Sequence, residues 1–407
     1  MDPAIIDRLL AGVEHERSRR APPPAFPALP DIPGGRYTDP AFQALEREHL
    51  WKKSWLYAGH KDEFPERGSY KLWARTGSPI LLVRDQDDQI NAFYNTCRHR
   101  GGPIVRDDSG TVKSKLVCGY HGWTYDLGGR LVGVPDQHDF IGLDMSCRSL
   151  LPVRCEYLGN WIFVCEDASV VPLTEYLGPI LEYFQGFPLE TIKLVQQETF
   201  EVSCNFKILQ ETFFEVYHLK ATHRGTVDRF LDHRGTNNIL WQHGHSLMLT
   251  PNRSRDWVDP GAKGMTEMDG ATDIERHNNP SFSIYPNLVT PVSPSGLPFL
   301  LSWPKTDRTM LLDVIWFAPD WGDGPPDALW KDRTENFNRI LDEDIQFVTK
   351  LQESVESNGF HGAALNYQER RIYHWHEELD RRIGIDRIPE HLRVSQVLGD
   401  WVKDGWL

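Results

Sequence analysis

The sequence predicts an α+β protein in which a small all-β module precedes a larger domain built from an antiparallel sheet covered by helices. Between about residues 55 and 166, short β-type runs alternate with turns. Later, two β-type runs at 299–303 and 310–316 flank a turn at 305–308, and two long helical patterns, 327–356 and 367–382, close the chain. Strands in one region and helices in another are typical of α+β chains.

The length and charge of the chain narrow its class. At 407 residues it can form two domains with substantial cores. Its 44 basic and 58 acidic residues leave a net charge of −14, which argues against a general binder of nucleic acid or anionic membranes. The first residues lack a basic segment followed by an apolar one, and no run of about 18 apolar residues occurs. We therefore expect a soluble, cytoplasmic protein.

Taken in order, the elements divide the chain into three parts. Residues 1–54 hold short helices broken by the stiff segment Arg20–Pro24, and we expect them to pack as an arm on the larger domain. Residues 55–166 carry β-type runs at 70–73, 80–83, 90–94 and 161–164, with a hairpin turn at 126–130. Residues 167–407 begin with a helical stretch at 173–184 and a strand at 198–203. Within them, 251–282 is either a mobile lid or a disordered insertion.

The motifs Cys97-x-His99 and Cys118-x-x-His121 stand in the all-β part. Each pairs a thiolate with an imidazole, as in a two-iron, two-sulfide cluster whose irons are held by cysteines and histidines. A structural zinc site is the alternative, although one intervening residue is fewer than zinc motifs usually have. The other four cysteines are expected to be small buried side chains, and none lies in a C-x-x-C spacing. With no sign of a second iron–sulfur domain, electrons must come from another protein.

A second group of possible ligands lies at 205–223. Glu215 and His218 are three residues apart and share a face if this stretch is helical. His223 lies five residues beyond His218, about 140° away on a straight helix, so the helix must end or bulge for both to bind one metal. Two histidines at this spacing are usually incidental. The pairs His243/His245 and His374/His376 are expected to be ordinary surface or packing residues.

Asp344 interrupts an apolar helical stripe formed by residues 337, 341, 348, 351 and 355. A carboxylate facing a core needs a partner, which is either a buried salt bridge or hydrogen bond, or a metal. Two histidines and one carboxylate would hold a non-haem iron with open positions. A rival triad uses Glu215 with the two histidines. Asp342 and Glu343 point more than 100° away from this face and are expected to be solvated.

Together these motifs resemble the Rieske non-haem iron oxygenases. That family has C-x-H, a spacer of somewhat under twenty residues and C-x-x-H, and here 18 residues separate His99 from Cys118. It also has an acid-x-x-His-x-x-x-x-His element and an Asp on a late helix. The resemblance implies an all-β Rieske [2Fe-2S] domain and a helix-grip catalytic domain. It assigns the [2Fe-2S] cluster to Cys97, His99, Cys118 and His121, the mononuclear Fe(II) to His218, His223 and Asp344, and inter-subunit electron transfer to Glu215.

The resemblance also implies an activity and partners. Such a chain is the oxygenase component of a system that uses O₂ and a small organic substrate. NAD(P)H and flavin act through a separate reductase, with or without a ferredoxin. The family forms rings of three subunits, and Glu at position 215 resembles the carnitine, choline and betaine monooxygenases, which are homotrimers. We expect monooxygenation leading to oxidative N- or O-dealkylation. The alternatives are an aromatic-ring cis-dihydroxylating dioxygenase α subunit and, from another class, an iron–sulfur electron carrier or a zinc-stabilised binding module.

Overall fold

A computed structural model describes residues 2–406, and the chain forms two compact units. One unit comprises residues 52–173. The other combines the chain up to residue 51 with the chain from residue 174 onward. These boundaries lie three and seven residues from the predicted ones at 54/55 and 166/167. The functional division into 1–54, 55–166 and 167–407 stays a prediction.

The N-terminal segment is built from short elements: α1 (Pro3–Ser18), β1 (Ile32–Pro33), α2 (Gly35–Thr38) and α3 (Pro40–His49). Asp2 and Asp39 cap α1 and α3, each followed by a proline whose fixed φ suits the first helical position. Two buried ion pairs attach the segment to the rest of its unit. Glu46 lies 2.8 Å from Lys207, and Arg36 lies 2.7 Å from Asp380.

The unit of residues 52–173 is all β apart from short 3₁₀ turns. Its strands β2 to β11 are Leu56–His60, Ser69–Trp73, Ile80–Arg84, Ile90–Tyr94, Ser109–Thr111, Lys115–Val117, Thr124–Asp126, Leu131–Gly133, Pro152–Leu158 and Trp161–Cys165. Seven strands form one sheet in the order β2-β11-β10-β5-β4-β3-β6, and β7, β8 and β9 form a second. The predicted strands and the hairpin turn at 126–130 all occur. Leu81, Phe93, Trp123 and other apolar side chains form the core.

The larger unit is dominated by an eight-stranded sheet. The unit contains the strands β12 to β20, of which all but β19 belong to this sheet: Lys193–Val202, Asn237–Trp241, Ser246–Pro251, Asn278–Ile284, Leu288–Pro291, Leu297–Pro304, Met310–Ala318, Gly362–Ala363 and Val402–Lys403. The sheet order is β12-β18-β17-β16-β15-β14-β13-β20, antiparallel except for β13 with β20, while β19 pairs with β1. The hairpin predicted at 305–308 joins β17 to β18, where Phe299 pairs with Ile315.

Seven helices belong to this part of the chain. In order, α4 to α10 are Leu173–Leu177, Pro179–Phe184, Phe206–Thr212, Leu219–Thr222, Asp273–His277, Leu329–Val355 and Arg370–Ile383. The predicted helix at 173–184 is thus divided at Gly178. The 27-residue α9 packs against α6 and β12 and buries Leu341, Asp344 and Val348. The α+β class is confirmed, and this arrangement places Asp344 opposite the segment that follows α6.

The segment 251–282 is not one loop, because 273–277 form α8 and 278–282 lie in β15. The capping box of Thr272 and Glu275 starts that helix, and this local signal was overlooked because the polar composition of the segment indicated a loop.

Of the four other cysteines, Cys165 and Cys204 are buried and Cys155 is half-buried. Cys147 is exposed in a 3₁₀ turn, so the expectation of burial was wrong there.

The remaining histidine pairs are packing residues. The His245 Nε2–H donates to the Tyr176 carbonyl at 2.7 Å, and His374 Nε2 lies 2.9 Å from the Trp241 carbonyl. His376 is fully buried against Glu211. Between residues 2 and 406, none of the helices has both the length and the apolar character needed to span a bilayer.

Candidate functional site

Two loops of identical backbone geometry present the four predicted cluster ligands. In each loop the cysteine N–H donates to the carbonyl five residues on, at 2.8 Å for Cys97 and 2.9 Å for Cys118. The cysteine carbonyl then accepts from the N–H of a glycine four residues on, Gly101 or Gly122, at 3.0 Å in both loops. Both glycines have φ +74°, a left-handed conformation that favours glycine. The two loops therefore offer a matched pair of cysteine sulfurs.

The four side chains are arranged with sulfur inside and imidazole outside. Cys97 and Cys118 are buried in the core of their unit, whereas His99 and His121 are half-buried, with ring centroids 4.5 Å apart. The Nδ1 atom of His99 is buried and has no hydrogen-bond partner. A Cβ atom at Gly102 would lie 3.3 Å from the Cys118 sulfur, so glycine leaves room beside that thiolate. A buried, unpartnered nitrogen and an open approach to sulfur both fit a bound metal cluster.

The spacing of the donors distinguishes a two-iron cluster from zinc. A tetrahedral zinc site needs its ligand atoms to converge on one point. Among residues 2–406, three or more His, Cys, Asp or Glu donor atoms lie within 4.8 Å of one another at one place alone, and these four residues are not part of it. Two cysteines on one side and two histidines on the other instead fit two separate irons bridged by sulfide.

Tyr125 supplies a hydrogen bond to this group. Its hydroxyl oxygen lies 3.3 Å from the Cys97 sulfur and accepts the Arg98 N–H at 3.0 Å. A cluster-bound Cys97 thiolate has no hydrogen to donate, so with the cluster in place the Tyr125 hydroxyl would be the donor of this contact. Burial raises the pKa of Tyr125, so the hydroxyl remains a donor across the physiological range. Burial also raises the pKa of the Cys97 thiol, and the nearby Cys118 thiol adds to the effect.

The second site begins where α6 ends. Asn205 caps α6, which stops at Thr212, so Glu215 and His218 are not on one helix as predicted. The Glu215 carboxylate instead accepts the N–H groups of Tyr217 and His218, the latter at 3.1 Å, and organises a turn. The single-turn helix α7 follows, with His218 immediately before it and His223 immediately after. The required break in the helix therefore occurs, and both imidazoles can face the same point.

The predicted triad converges. Ligand atoms of His218, His223 and Asp344 all lie within 4.8 Å of one another. The Asp344 Oδ1 atom is 3.0 Å from His223 Nε2 and 3.7 Å from His218 Nε2. Asp344 is 7% exposed, and its ion-pair partners are these two histidines rather than an arginine or lysine. Among the described residues, Asp344 therefore has no permanently charged partner, and the set matches two histidines and a carboxylate for a mononuclear iron.

Each histidine is held from behind by a carboxylate. Glu215 Oε1 accepts from His218 Nδ1, and Glu343 Oε2 accepts from His223 Nδ1, both at 2.5 Å. Because each carboxylate holds the proton on Nδ1, a metal that displaces the Nε2 proton would find the Nε2 lone pair directed toward Asp344. Burial lowers the pKa of both histidines. The hydrogen bonds and charges of Glu215, Glu343 and Asp344 outweigh burial, so both pKa values are raised above 6.5.

Glu343 is a site residue that the sequence interpretation missed. We expected it to be solvated, but its carboxylate also accepts the Thr226 hydroxyl at 2.8 Å, and its side chain is 32% exposed. The helical wheel places it about 100° from Asp344, and that angle ignores side-chain length. The sequence did contain a signal, because Glu343 stands next to the predicted ligand Asp344 and histidine ligands commonly donate their second N–H to a nearby carboxylate.

A cavity of about 140 Å³ opens beside the three convergent side chains. Its floor is one face of the sheet, from Met248 and Thr250 on β14 to Leu300 on β17. Its walls come from the α6–α7 segment and from α9, including Phe337 and Leu341. A compact organic molecule and a metal ion could therefore meet here.

Comparison with known families decides the class of protein. Residues 54–155 match the Rieske [2Fe-2S] domain, and residues 189–385 match the catalytic domain of the ring-hydroxylating alpha subunit. Together the two family models match nearly three quarters of the chain. The chain belongs to the Rieske non-haem iron oxygenases. The predicted pair of domains is thereby confirmed, and in this family these domains hold a [2Fe-2S] cluster and a non-haem iron.

Relatives of this Rieske oxygenase include proteins of two kinds. It is 30% identical over 209 residues to the glycine betaine monooxygenase oxygenase subunit of Chromohalobacter salexigens, covering 51% of this chain and 46% of the relative. It is 36% identical over 194 residues to the biphenyl 2,3-dioxygenase subunit alpha of Rhodococcus jostii, covering 46% and 42%. The aligned regions thus span less than half the length of these curated relatives.

Solved structures confirm the fold of the Rieske oxygenase. The quaternary ammonium Rieske monooxygenase CntA superposes with a TM-score of 0.73 at 22% identity, covering 90% of this chain and 99% of CntA. Naphthalene 1,2-dioxygenase from Rhodococcus sp. gives 0.69 at 21% identity, covering 94% and 98%. At these identities the likeness shows the fold alone.

Proposed function

We propose that this chain is the oxygenase component of a multicomponent Rieske monooxygenase, and that it acts on a small organic substrate by oxidative N- or O-dealkylation. The convergence of His218, His223 and Asp344 at the cavity is the observation that carries the proposal. A protein that merely carried electrons, or a zinc-stabilised binding module, would have no need of a second ligand set beside a substrate-sized space.

The residues divide the work between two sites. Cys97, His99, Cys118 and His121 would hold the [2Fe-2S] cluster, and His218, His223 and Asp344 would hold Fe(II). When bound, the two groups would supply stored electrons and the activation of O₂ for insertion of one oxygen atom at a C–H bond. Where that carbon is bonded to N or O, the hydroxylated product loses an aldehyde, which gives net dealkylation.

The protein side chains prepare this chemistry in three ways. Glu215 and Glu343 fix the orientation and protonation of the two histidines. Because His218, His223 and Asp344 line the cavity, an iron held by these three side chains would have positions available for O₂ beside the substrate. Apolar residues such as Val216, Leu219 and Ile340 line the cavity and limit the entry of water.

Glu215 is also the proposed route for electrons between subunits. One carboxylate oxygen contacts His218, and the residue is 8% exposed. In a homotrimer, His121 of the partner subunit would contact this carboxylate. The likeness to a quaternary ammonium Rieske monooxygenase whose structure gives insight into inter-subunit electron transfer supports this assembly. A separate reductase, with or without a ferredoxin, would supply electrons from NAD(P)H, and we propose a cytoplasmic location.

Labelled oxygen tests the reaction. The protein loaded with iron and sulfide is supplied with NADH and a generic reductase under ¹⁸O₂, with N-alkyl anilides, methoxyarenes and alkylamines as candidate substrates. Release of an aldehyde and uptake of one labelled atom would support monooxygenation, whereas two labelled atoms in a cis-diol would establish the dioxygenase alternative. Cys97→Ser should abolish NADH-driven turnover, and Cys147→Ser, at an exposed cysteine, is the matched control. Turnover that survives Cys97→Ser would refute the proposal.

A further inference from the structure

The pairing of neighbouring strands determines which side chains form the floor of the cavity. On β14 and β15, Met248 pairs with Ser281 and Thr250 pairs with Asn279, so these side chains share one sheet face. Ser281 pairs in turn with Pro291 on β16. The polar residues of the floor thus lie together at β14 and β15, and the rest of the floor is apolar.

The described lining lacks an aromatic cage that could enclose a quaternary ammonium group. Quaternary ammonium groups are recognised by cages of Trp, Tyr or Phe faces, or by free carboxylates. Among the described residues that line the cavity there is no Trp or Tyr, and Phe213 and Phe337 are its aromatic side chains. Its two carboxylates are engaged, Glu215 by His218 and Asp344 by both histidines. Glu215, Asp344 and Glu343 all contact the two histidines, so a bound Fe(II) would lie closer to these carboxylates than a substrate in the cavity and would offset most of their attraction for a cation.

Two polar side chains in the floor lack protein partners. The Thr250 hydroxyl lies 3.2 Å from that of Thr236, and the Thr212 hydroxyl donates to a backbone carbonyl. By contrast, no group among residues 2–406 forms a hydrogen bond with the side chain of Asn279 or Ser281. Asn279 is half-buried and Ser281 is buried. Buried polar groups normally have partners, so these two are suited to a ligand.

We propose that the substrate is a neutral, compact and mainly apolar molecule with one hydrogen-bonding substituent, and that Asn279, assisted by Ser281, binds that substituent. The cavity of about 140 Å³ is close to the roughly 150 Å³ of an engineered apolar cavity that holds benzene, so one ring or its aliphatic equivalent fits. The inference rests on the proposed function, which places the reacting carbon beside His218, His223 and Asp344.

The first experiment tests charge with an isosteric pair. Choline and 3,3-dimethylbutan-1-ol have the same shape and hydroxyl group and differ in one positive charge. Binding to the iron-loaded protein is measured anaerobically by calorimetry, independently of turnover. We expect the neutral alcohol to bind at least about a hundredfold more tightly than choline, because the cavity would desolvate the cation without compensation. Equal or tighter binding of choline would overturn the inference.

The second experiment tests the substituent. Acetophenone and α-methylstyrene differ in a carbonyl oxygen that can accept the Asn279 N–H. Asn279→Leu should weaken acetophenone binding by roughly fivefold, the value of one neutral hydrogen bond, and leave α-methylstyrene binding unweakened. Ser283→Ala, on the same strand but outside the lining, is the matched control and should change neither. If Asn279→Leu leaves acetophenone binding intact, or weakens both ligands equally, the assignment of Asn279 is wrong.

These readouts separate the two proposals. Selective binding of the neutral ligands without oxygenation of any candidate substrate would retain the substrate class and refute the proposed function. Oxygenation of choline with tight binding would support the function and refute the substrate class.

Discussion

Glu343 gives the sharpest prediction about the iron site, because its effect acts through His223. Its carboxylate accepts from His223 Nδ1 at 2.5 Å and from the Thr226 hydroxyl at 2.8 Å. A hydrogen bond to a charged acceptor contributes about 1 kcal/mol more than one to a neutral acceptor. Glu343→Gln keeps an acceptor and loses the charge, so Fe(II) should bind roughly fivefold more weakly. Glu343→Ala removes both the acceptor and the charge, and the affinity for Fe(II) should fall by about 10- to 100-fold.

Competition with a chromophoric chelator under argon measures this affinity directly. The neighbouring Asp342 is exposed, so Asp342→Asn changes the same charge on the same helix and should leave Fe(II) affinity unchanged. Thr226→Val removes the hydroxyl that contacts Glu343 and the His223 carbonyl, keeps the bond between Glu343 and His223, and should have the smaller effect on Fe(II) affinity. If Glu343 had a purely structural role, its substitution would lower the thermal midpoint of the metal-free protein. Iron affinity would then not decrease in the order wild type, Glu343→Gln, Glu343→Ala. Wild-type affinity in Glu343→Ala would refute the reasoning.

Three further outcomes are expected. Tyr125→Phe removes the hydrogen bond to the Cys97 sulfur, so the reduction potential of the cluster should fall by about 40 mV. This shift corresponds to about 1 kcal/mol for one electron. Protein-film voltammetry measures the potential, and an unchanged value would contradict this prediction. Glu215→Gln should keep the reducible cluster and weaken Fe(II) binding about as much as Glu343→Gln. When saturated with iron, it should turn over more slowly than iron-saturated Glu343→Gln, because the proposed route between subunits loses its charge. Turnover of the iron-saturated variant at the wild-type rate excludes that route. Burial raises the pKa of Glu211 to about 8. A carboxyl group with a raised folded pKa stabilises the fold at low pH. Urea unfolding measures the free energy of unfolding of the wild type minus that of Glu211→Gln. This difference should fall between pH 4.5 and about 8, by at most about 1.4 kcal/mol per pH unit. A difference that does not change with pH would contradict the raised pKa of Glu211.

Much of the fold followed from local patterns in the sequence. The hairpin of β17 and β18 and the long helix α9 were predicted because their periodicities are strong and uninterrupted. Asp344 was identified by the same logic, as a carboxylate in an apolar stripe. Periodicity could not identify the partners of Asp344, because His223 is 121 residues away in the sequence and contacts Asp344 only through tertiary packing.

Other features depended on side chains that act on the backbone. Residues 213–217 looked helical, yet the Glu215 carboxylate captures two backbone N–H groups and forms a turn. Glu343 was assigned to solvent because its angle on the helix was considered without its length. The polar pair Asn279 and Ser281 was hidden in a segment expected to be a loop, and strand pairing with β14 is what brings it to the cavity.

Metal content tests the central claim most directly. Protein reconstituted anaerobically should contain about three iron atoms and two sulfides per chain. Asp344→Ala should reduce iron to about two with sulfide unchanged, and Cys97→Ser should leave about one iron and no sulfide. If Asp344→Ala keeps all its iron, the rival triad of Glu215, His218 and His223 is correct. If the wild type binds zinc and no sulfide, the chain does not work as a two-site iron oxygenase.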